Sequence, residues 1–498
     1  MRVVINRQSY SYDVHSLVKA FFPEEDVKIE LGESISNKDN SSEVGDVIYV
    51  YVSTEDEEKE EGQQKRTSNN ASDGEIICSY KDKTTNKVYI SKARPEIKNE
   101  LKLCLYELLS GALNAKLPWG TLTGIRPTKI PMKMILEGKN DEEIRHYLED
   151  TYYCSEGKIE LSTEIAHREA KLLESIDSEG YSLYVGIPFC PTTCLYCSFT
   201  SYPIGAWKKR VREYLDAVKM ELAYTSEAFK GKRLDSIYVG GGTPTTLEPD
   251  ELRELINYIK DNFDTSYVQE ITVEAGRPDS ITLDKLMALK ECGVTRISIN
   301  PQTMNDKTLK IIGRRHSVDD VINAFNMARE AGFDNINMDI ILGLPGEQIE
   351  DVRVTLEKIS KLSPDSLTVH SMAIKRAAGM HKFLEEHEDI VTVNTPEMME
   401  EAIRAAEEIG LEAYYLYRQK NMTGNLENIG FARSGKFGIY NILIMEEVQT
   451  IVACGAGTVT KRVYGDGRIE RCDNVKDVAL YISKIEEMID RKRKLFAD

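Results

Sequence analysis

From Leu183 onward the chain alternates two kinds of segment, and this alternation constrains its fold more than any other feature. Runs rich in apolar and β-branched residues read as strands: Leu183–Phe189, Ile237–Gly240, Glu270–Glu274, Arg296–Asn300, Asn335–Leu342 and Ser366–Val369. Amphipathic segments between them read as helices, near Trp207–Phe229, Pro249–Asn262, Leu283–Cys292, Val318–Ala331 and Gln348–Leu362. A helix between two strands returns the second parallel to the first. The six repeats therefore predict an α/β fold with a parallel sheet, open or closed into a partial (β/α)6 barrel. Such sheets carry their chemistry at the carboxyl ends of the strands.

The flanks read differently. Residues 1–165 form a separate α+β domain whose role the residues do not reveal, 166–390 the barrel, and 391–498 a C-terminal cap and substrate region. In the first domain, β-rich runs at Val3–Asn6, Val27–Leu31 and Val47–Val52 precede Ile76–Ser79 and Lys87–Ile90, which flank Thr84-Thr85-Asn86 as a hairpin turn. A helix near Pro95–Leu113 puts Leu101, Leu105, Leu108 and Ala112 on one face. Thr54–Gly74 is rich in Glu, Lys, Gln, Ser and Asn, cannot bury a core, and reads as a mobile loop. A capped helix near Leu161–Ile176 leads out of the domain. After about residue 390 come a helix near Pro396–Ile409, an aromatic and glycine-rich stretch, and a charged helix near Val475–Lys494.

The formal net charge of −18 repels nucleic acid and anionic membranes. An anionic substrate must then meet a local basic pocket. The chain has no run of about 18 apolar residues, so no membrane insertion is expected. Its first residues lack the basic and apolar regions of a signal peptide, and a cytoplasmic location is expected.

Of nine cysteines, Cys190, Cys194 and Cys197 are bunched in the pattern CxxxCxxC, just past the first barrel strand. Bunched thiolates in a reducing compartment suit zinc or an iron–sulfur cluster. Structural zinc wants four ligands, usually with a second CxxC or HxxxH pair, and the sequence has no such pair. A 4Fe-4S cluster held by three cysteines keeps one iron open for a ligand. Gly240-Gly241-Gly242-Thr243-Pro244-Thr245 ends the second strand, where glycines allow close backbone approach and offer free N–H groups. Charged and polar residues also fall at or in barrel strands, where burial is expensive unless satisfied: Glu274, Gln302 and Asp339, with Arg314 in Ile-Gly-Arg-Arg-His.

The cysteine motif with an aromatic before its last cysteine, followed by the GGTPT strand end, resembles the radical S-adenosylmethionine (SAM) superfamily. The resemblance implies a 4Fe-4S cluster on Cys190, Cys194 and Cys197, and SAM bound by Gly241, Gly242, Thr243, Glu274, Gln302, Arg314 and Asp339. Leu183-Tyr184-Val185-Gly186-Ile187-Pro188-Phe189-Cys190 is similar to the lead-in of the oxygen-independent coproporphyrinogen III oxidase branch, which includes haem chaperones and haem-degrading relatives. Tyr184 matches a tyrosine near the cofactor, whereas Gly186 stands where that branch usually has histidine. The long N-terminal domain, Leu117–Lys129 and Tyr414–Asn421 together resemble the HemZ type, associated with coproporphyrinogen dehydrogenase activity.

That resemblance implies oxidative decarboxylation of two propionates of coproporphyrinogen III to vinyl groups, giving protoporphyrinogen IX by way of a 5′-deoxyadenosyl radical. It also implies a reducing electron donor such as flavodoxin or ferredoxin. A haem chaperone on the same fold, or a radical enzyme acting on haem, is the alternative. Propionates call for guanidinium partners. The candidates are Arg376 and Arg418, with Lys375, Lys420, Arg433 and Lys436 as further cations. Tyr414, Tyr415 and Tyr417 suit either tetrapyrrole stacking or strand packing, and Gly455-Ala456-Gly457 either a substrate-contacting turn or a tight bend. His316 and His370 near barrel ends are candidate haem ligands or packing residues.

Overall fold

The computed structural model describes residues 1–23, 25–32, 46–53, 74–89, 93–373, 379–387, 389–419 and 426–497. The chain divides into two compact units, Met1–Thr163 and Glu164–Asp498, and the division falls inside the helix Glu156–Leu173.

The first unit is built on a sheet of β1 (Arg2–Ile5), β2 (Lys28–Leu31), β3 (Val47–Val52), β4 (Gly74–Tyr80) and β5 (Lys83–Tyr89), in the order β2-β1-β3-β4-β5. Strand β1 runs parallel to both its neighbours, and β3, β4 and β5 are antiparallel. Alternation in β3 buries Ile48, Val50 and Val52 with Val3 and Ile5, and Leu101, Cys104, Leu105 and Leu108 of the helix Arg94–Leu113 join the same core. The hairpin turn is not at Thr84-Thr85-Asn86. Those residues pair with Ser79, Cys78 and Ile77 inside β5, and Lys81 and Asp82 make the turn. Lys81 takes the left-handed conformation a two-residue hairpin demands, whereas β-branched threonines suit the strand. Residues 54–73 of the expected mobile loop lie outside the described residues; Gly74 begins β4. The Leu117–Lys129 motif has a structural use here: at Gly120, with φ of +50°, a Cβ would meet the Tyr152 carbonyl oxygen at 1.9 Å.

The second unit carries β6 (Tyr181–Ile187), the short β7 (Phe189–Cys190) and β8 (Tyr202–Pro203), β9 (Leu234–Gly241), β10 (Glu270–Glu274), β11 (Arg296–Ser298), β12 (Ile336–Leu342) and β13 (Ser366–Ser371). It continues with β14 (Glu412–Tyr417), β15 (Asn428–Ala432), β16 (Thr450–Cys454), β17 (Val459–Val463) and β18 (Ile469–Asp473). Strands β6, β9, β10, β11, β12 and β13 are parallel neighbours in sequence order, which is the expected α/β partial barrel. Helices return between them at Val211–Ala228, Pro249–Asn262, Leu283–Glu291, Val318–Glu330 and Ile349–Leu362. Burial on both faces explains why β9 and β12 are mostly apolar, with Asp235, Ser236 and Asn337 as their buried polar residues.

The C-terminal region continues this same sheet at both edges. Strands β15 and β14 add antiparallel beyond β13, and β16 adds parallel to β6 and leads to β17 and β18. The charged last helix is two, Val478–Ser483 and Ile485–Phe496. Asp477 caps the first, and the chain leaves helical geometry at Lys484, with φ of −118°. The last helix is tied in by a fully buried ion pair, Lys492 with Glu221. The same carboxylate accepts from Asn474 Nδ2 at 2.8 Å, Tyr481 Oη at 2.6 Å and the Gly455 amide at 2.7 Å.

Breaking this pair would strand a buried charge. Lys492→Met should cost about 3–5 kcal/mol in urea unfolding, and adding Glu221→Gln should recover part of the loss. A single variant as stable as wild type would show that the pair does not hold the helix.

Candidate active site

The three cysteines leave the carboxyl end of β6 on one loop. Strands β7 and β8 close its base, pairing Phe189 with Tyr202 and Cys190 with Pro203. Its far side is docked by the Leu195 amide on the Ile312 carbonyl at 3.0 Å and by Thr192 Oγ1 on the Gly313 carbonyl at 3.1 Å. Burial pushes the Cys190 thiol up to about 11, and Thr243 Oγ1 donates to its sulfur at 3.4 Å. Among the described residues, no three His, Cys, Asp or Glu side chains converge on a point that would hold one metal ion. A cubane cluster takes each thiolate on a different iron, so it asks for three neighbouring sulfurs rather than convergence. The donor set and its loop fit that group.

The glycine motif brings the end of β9 against this loop. At Gly242 a Cβ would meet the Phe189 carbonyl oxygen at 2.6 Å and Cys190 Sγ at 3.0 Å. The sequence suggests free N–H donors in this run, but those of Gly242 and Thr243 are occupied. They are bonded to the carbonyls of Ile187 at 2.8 Å and Phe189 at 2.7 Å. The motif therefore supplies close approach and fixes the loop. Gly241 sits at φ of +109°, and at Gly240 a Cβ would crowd the Glu274 carboxyl at 3.0 Å.

Glu274, at the end of β10, accepts from Tyr238 Oη at 2.7 Å, and burial raises its carboxyl to about 7. On β12, burial opposes ionisation of Asp339. His370 and Asn337, the latter donating at 2.6 Å, overcome that and hold the carboxyl below its usual range. Gln302 adopts the left-handed region at φ of +68° and exchanges backbone hydrogen bonds with Asp339 and Ile341. Its Oε1 and Asn300 Oδ1 are buried without a hydrogen-bond partner among the described residues. They fit a ligand with donor groups, as SAM is.

Arg314 is buried and braces the loop from behind, donating to the carbonyls of Gly276 at 3.2 Å and Asn300 at 2.5 Å and to Tyr196 Oη at 3.0 Å. Tyr184 is stacked with Tyr238 and Tyr440 at 5.8 and 5.9 Å between ring centroids. Gly186 has no room for the imidazole usual in its place, because a Cβ there would lie 2.5 Å from Thr458 Cγ2. Gly455 forms a tight bend under the same strand, with a Cβ position 2.5 Å from the Gly186 carbonyl oxygen.

Among the cations, Arg418 is buried just past β14, at the end of the sheet that carries the cysteine loop. Lys375, Arg376 and Lys420 lie outside the described residues. Arg433 and Lys436 sit at the opposite end, where the Arg433 amide bonds the Asp365 carbonyl before β13 and Lys436 pairs with Asp334 before β12. Tyr414 and Tyr415 are buried core residues of β14. His370 has Asp339 Oδ2 3.7 Å from Nε2 and Tyr417 Oη 3.4 Å from Nδ1. His316 faces Arg314 and the Ser317 carbonyl, and burial followed by the Arg314 charge lowers it to about 4. Both nitrogens of His316 are thus engaged. Sequence reasoning missed Tyr238, Tyr440 and Arg277. Tyr238 lies one turn of the strand pattern from Gly240, and Arg277 follows Glu274 closely in Gly-Arg-Pro-Asp, but only the fold brings either to the site.

Glu274 should titrate near neutrality. Its raised carboxyl opposes folding once ionised, so the penalty is absent below the unfolded value and complete above about pH 7. Glu274→Gln should raise the Tm of the cluster-free protein at pH 8 and leave it unchanged at pH 4. Equal Tm values at pH 8 would show that the carboxyl is not desolvated.

Residues 184–359 match the family model described as the Radical SAM superfamily. The chain is 40 % identical over 409 residues to the oxygen-independent coproporphyrinogen-III oxidase-like protein HemZ of Bacillus subtilis (strain 168), covering 81 % of this chain and 82 % of that protein. It is 35 % identical over 206 residues to the heme chaperone HemW of the same organism, covering 41 % and 54 %. It is 33 % identical over 192 residues to the oxygen-independent coproporphyrinogen III oxidase of Escherichia coli (strain K12), covering 39 % and 42 %. The chain thus spans about half the length of these last two relatives. Its cofactors are a 4Fe-4S cluster and SAM. Identity of 40 % over four fifths of both chains establishes that the chain belongs to the radical SAM superfamily, in the coproporphyrinogen III oxidase-like family of the HemZ type.

Proposed function

We propose that the chain catalyses the oxygen-independent oxidative decarboxylation of coproporphyrinogen III to protoporphyrinogen IX. One observation carries this reading. Desolvated Glu274 and Asp339, and the unpartnered acceptors of Gln302 and Asn300, lie at the same strand ends as the three thiols. Burying such groups is expensive, and a passive haem carrier gains nothing from it. A protein that turns SAM over does. The engaged nitrogens of His316 also speak against haem ligation at that residue. The likeness to HemZ, a coproporphyrinogen-III oxidase-like protein, supports the substrate class.

When bound, the reduced cluster and SAM supply the radical that abstracts a hydrogen from the propionate β-carbon. The chain's own residues then have three tasks. Arg418 and Arg376 bind propionates, Gln302, Asp339 and Glu274 orient SAM, and the Tyr184–Tyr238–Tyr440 stack keeps water from the lumen. A low-potential donor of the flavodoxin or ferredoxin type reduces the cluster, and the cytoplasm is the compartment that provides it. Among the described residues no helix is long and apolar enough to cross a membrane.

Anaerobic reconstitution with reductant, an electron acceptor, SAM and coproporphyrinogen III should give 5′-deoxyadenosine and a product lighter by two carbon dioxides and four hydrogens, and Cys194→Ala should give neither. Deoxyadenosine without decarboxylation would move the substrate elsewhere among tetrapyrroles. A fully loaded protein that binds haem and never cleaves SAM would be a chaperone. Replacing Arg376 and Arg418 by alanine should raise KM about tenfold or more, as loss of a charge-assisted pair implies, with cluster content unchanged. Unchanged kinetics would remove both from the pocket.

A further inference from the structure

Arg277 lies in the turn after β10 and is only 3 % exposed. One edge of its guanidinium faces the cysteine loop. Nη1 stands 3.3 Å from Cys194 Sγ and donates to the Thr192 carbonyl at 3.3 Å, while Nη2 donates to Thr192 Oγ1 at 3.1 Å. The other edge forms a two-point ion pair with Asp279, Nε to Oδ1 at 2.9 Å and Nη2 to Oδ2 at 2.7 Å. Every guanidinium nitrogen is therefore engaged, and its plane is fixed against the sulfur of a cluster ligand. Nothing in the reaction of the barrel's other residues uses it.

We propose that Arg277 sets the reduction potential of the iron–sulfur cluster by donating an N–H bond to the Cys194 sulfur and holding a buried positive charge beside it. The proposal rests on the cluster assignment and is independent of the substrate. Reduction adds one electron to the cluster, and N–H···S bonds and nearby cations stabilise the more negative state. The effect matters here because the chain carries a net charge of −18, whose field opposes reduction. A buried guanidinium next to the sulfur is screened far less than the distant surface carboxylates. Asp279 holds the fork in place and cancels part of its charge. Thr192 accepts two of its bonds, so Arg277 also clamps the loop, and the test must separate the two roles.

An EPR-monitored redox titration of the reconstituted full-length chain separates them, because a clamp alone leaves the potential where it is. Iron and sulfide content are measured first. Arg277→Gln should move the cluster to a lower potential. Arg277→Lys, which keeps the charge and loses the fork, should fall between. Asp279→Asn removes a negative charge and should move the potential the other way, without touching the Thr192 contacts. Should Arg277→Gln fail to load, Asp279→Asn decides the matter. A loaded Arg277→Gln and an Asp279→Asn protein both at the wild-type potential would overturn the proposal. No substrate enters the measurement, so failure of the decarboxylation assay leaves it standing.

Discussion

The site depends on one close approach of backbone to backbone. The ends of β6 and β9 meet through Gly240, Gly241 and Gly242, and two N–H···O bonds from Gly242 and Thr243 tie β9 to the first turn of the cysteine loop. A side chain at position 242 would collide with the Phe189 carbonyl and the Cys190 sulfur. The contact brings the three thiols and the strand-end carboxylates into one region. Residues behind it repeat the theme. Gly455 is bent under Gly186, Thr458 fills the space beside it, and Tyr214 Oη donates to the Gly186 carbonyl at 2.6 Å.

Around that contact the barrel buries groups that most cores avoid. Glu274, Asp339, Arg314 and Arg277 all sit where water is scarce, and each is satisfied in a different way. Tyr238 supports Glu274, Asn337 and His370 support Asp339, and backbone carbonyls with Tyr196 support Arg314. Among the atoms left incomplete are Arg314 Nε and the two acceptors Gln302 Oε1 and Asn300 Oδ1. Fully paired charges give rigidity, while orphaned acceptors hold a place for a ligand's donors. The buried Glu221–Lys492 pair belongs to the first class and anchors the end of the chain beneath the strand that presents Cys190.

Much of this was legible in the residues. The cysteine spacing, the glycine run and the polar residues at strand ends each carry a local signature, because thiolate ligation, close approach and buried charge restrict the residue types allowed. The parallel strands were legible because strands buried on both faces are rich in apolar and β-branched residues. The hairpin turn was misplaced because Lys81-Asp82 carries no glycine or asparagine, and two threonines nearby looked more polar than their strand position requires. Gly186 could be seen as unusual, but the reason lies in Thr458, far along the chain.

Local periodicity and short-range chemistry therefore determined the α/β class and singled out the bunched cysteines and the polar residues at strand ends. The tertiary structure alone decided that the C-terminal strands extend both edges of the sheet, that Arg433 and Lys436 lie at the wrong end for a substrate role, and that Arg277 reaches Cys194. Pairings of that kind join residues tens to hundreds of positions apart. They are set by which edges and charges remain unsatisfied once the local elements have formed, and no local pattern records them.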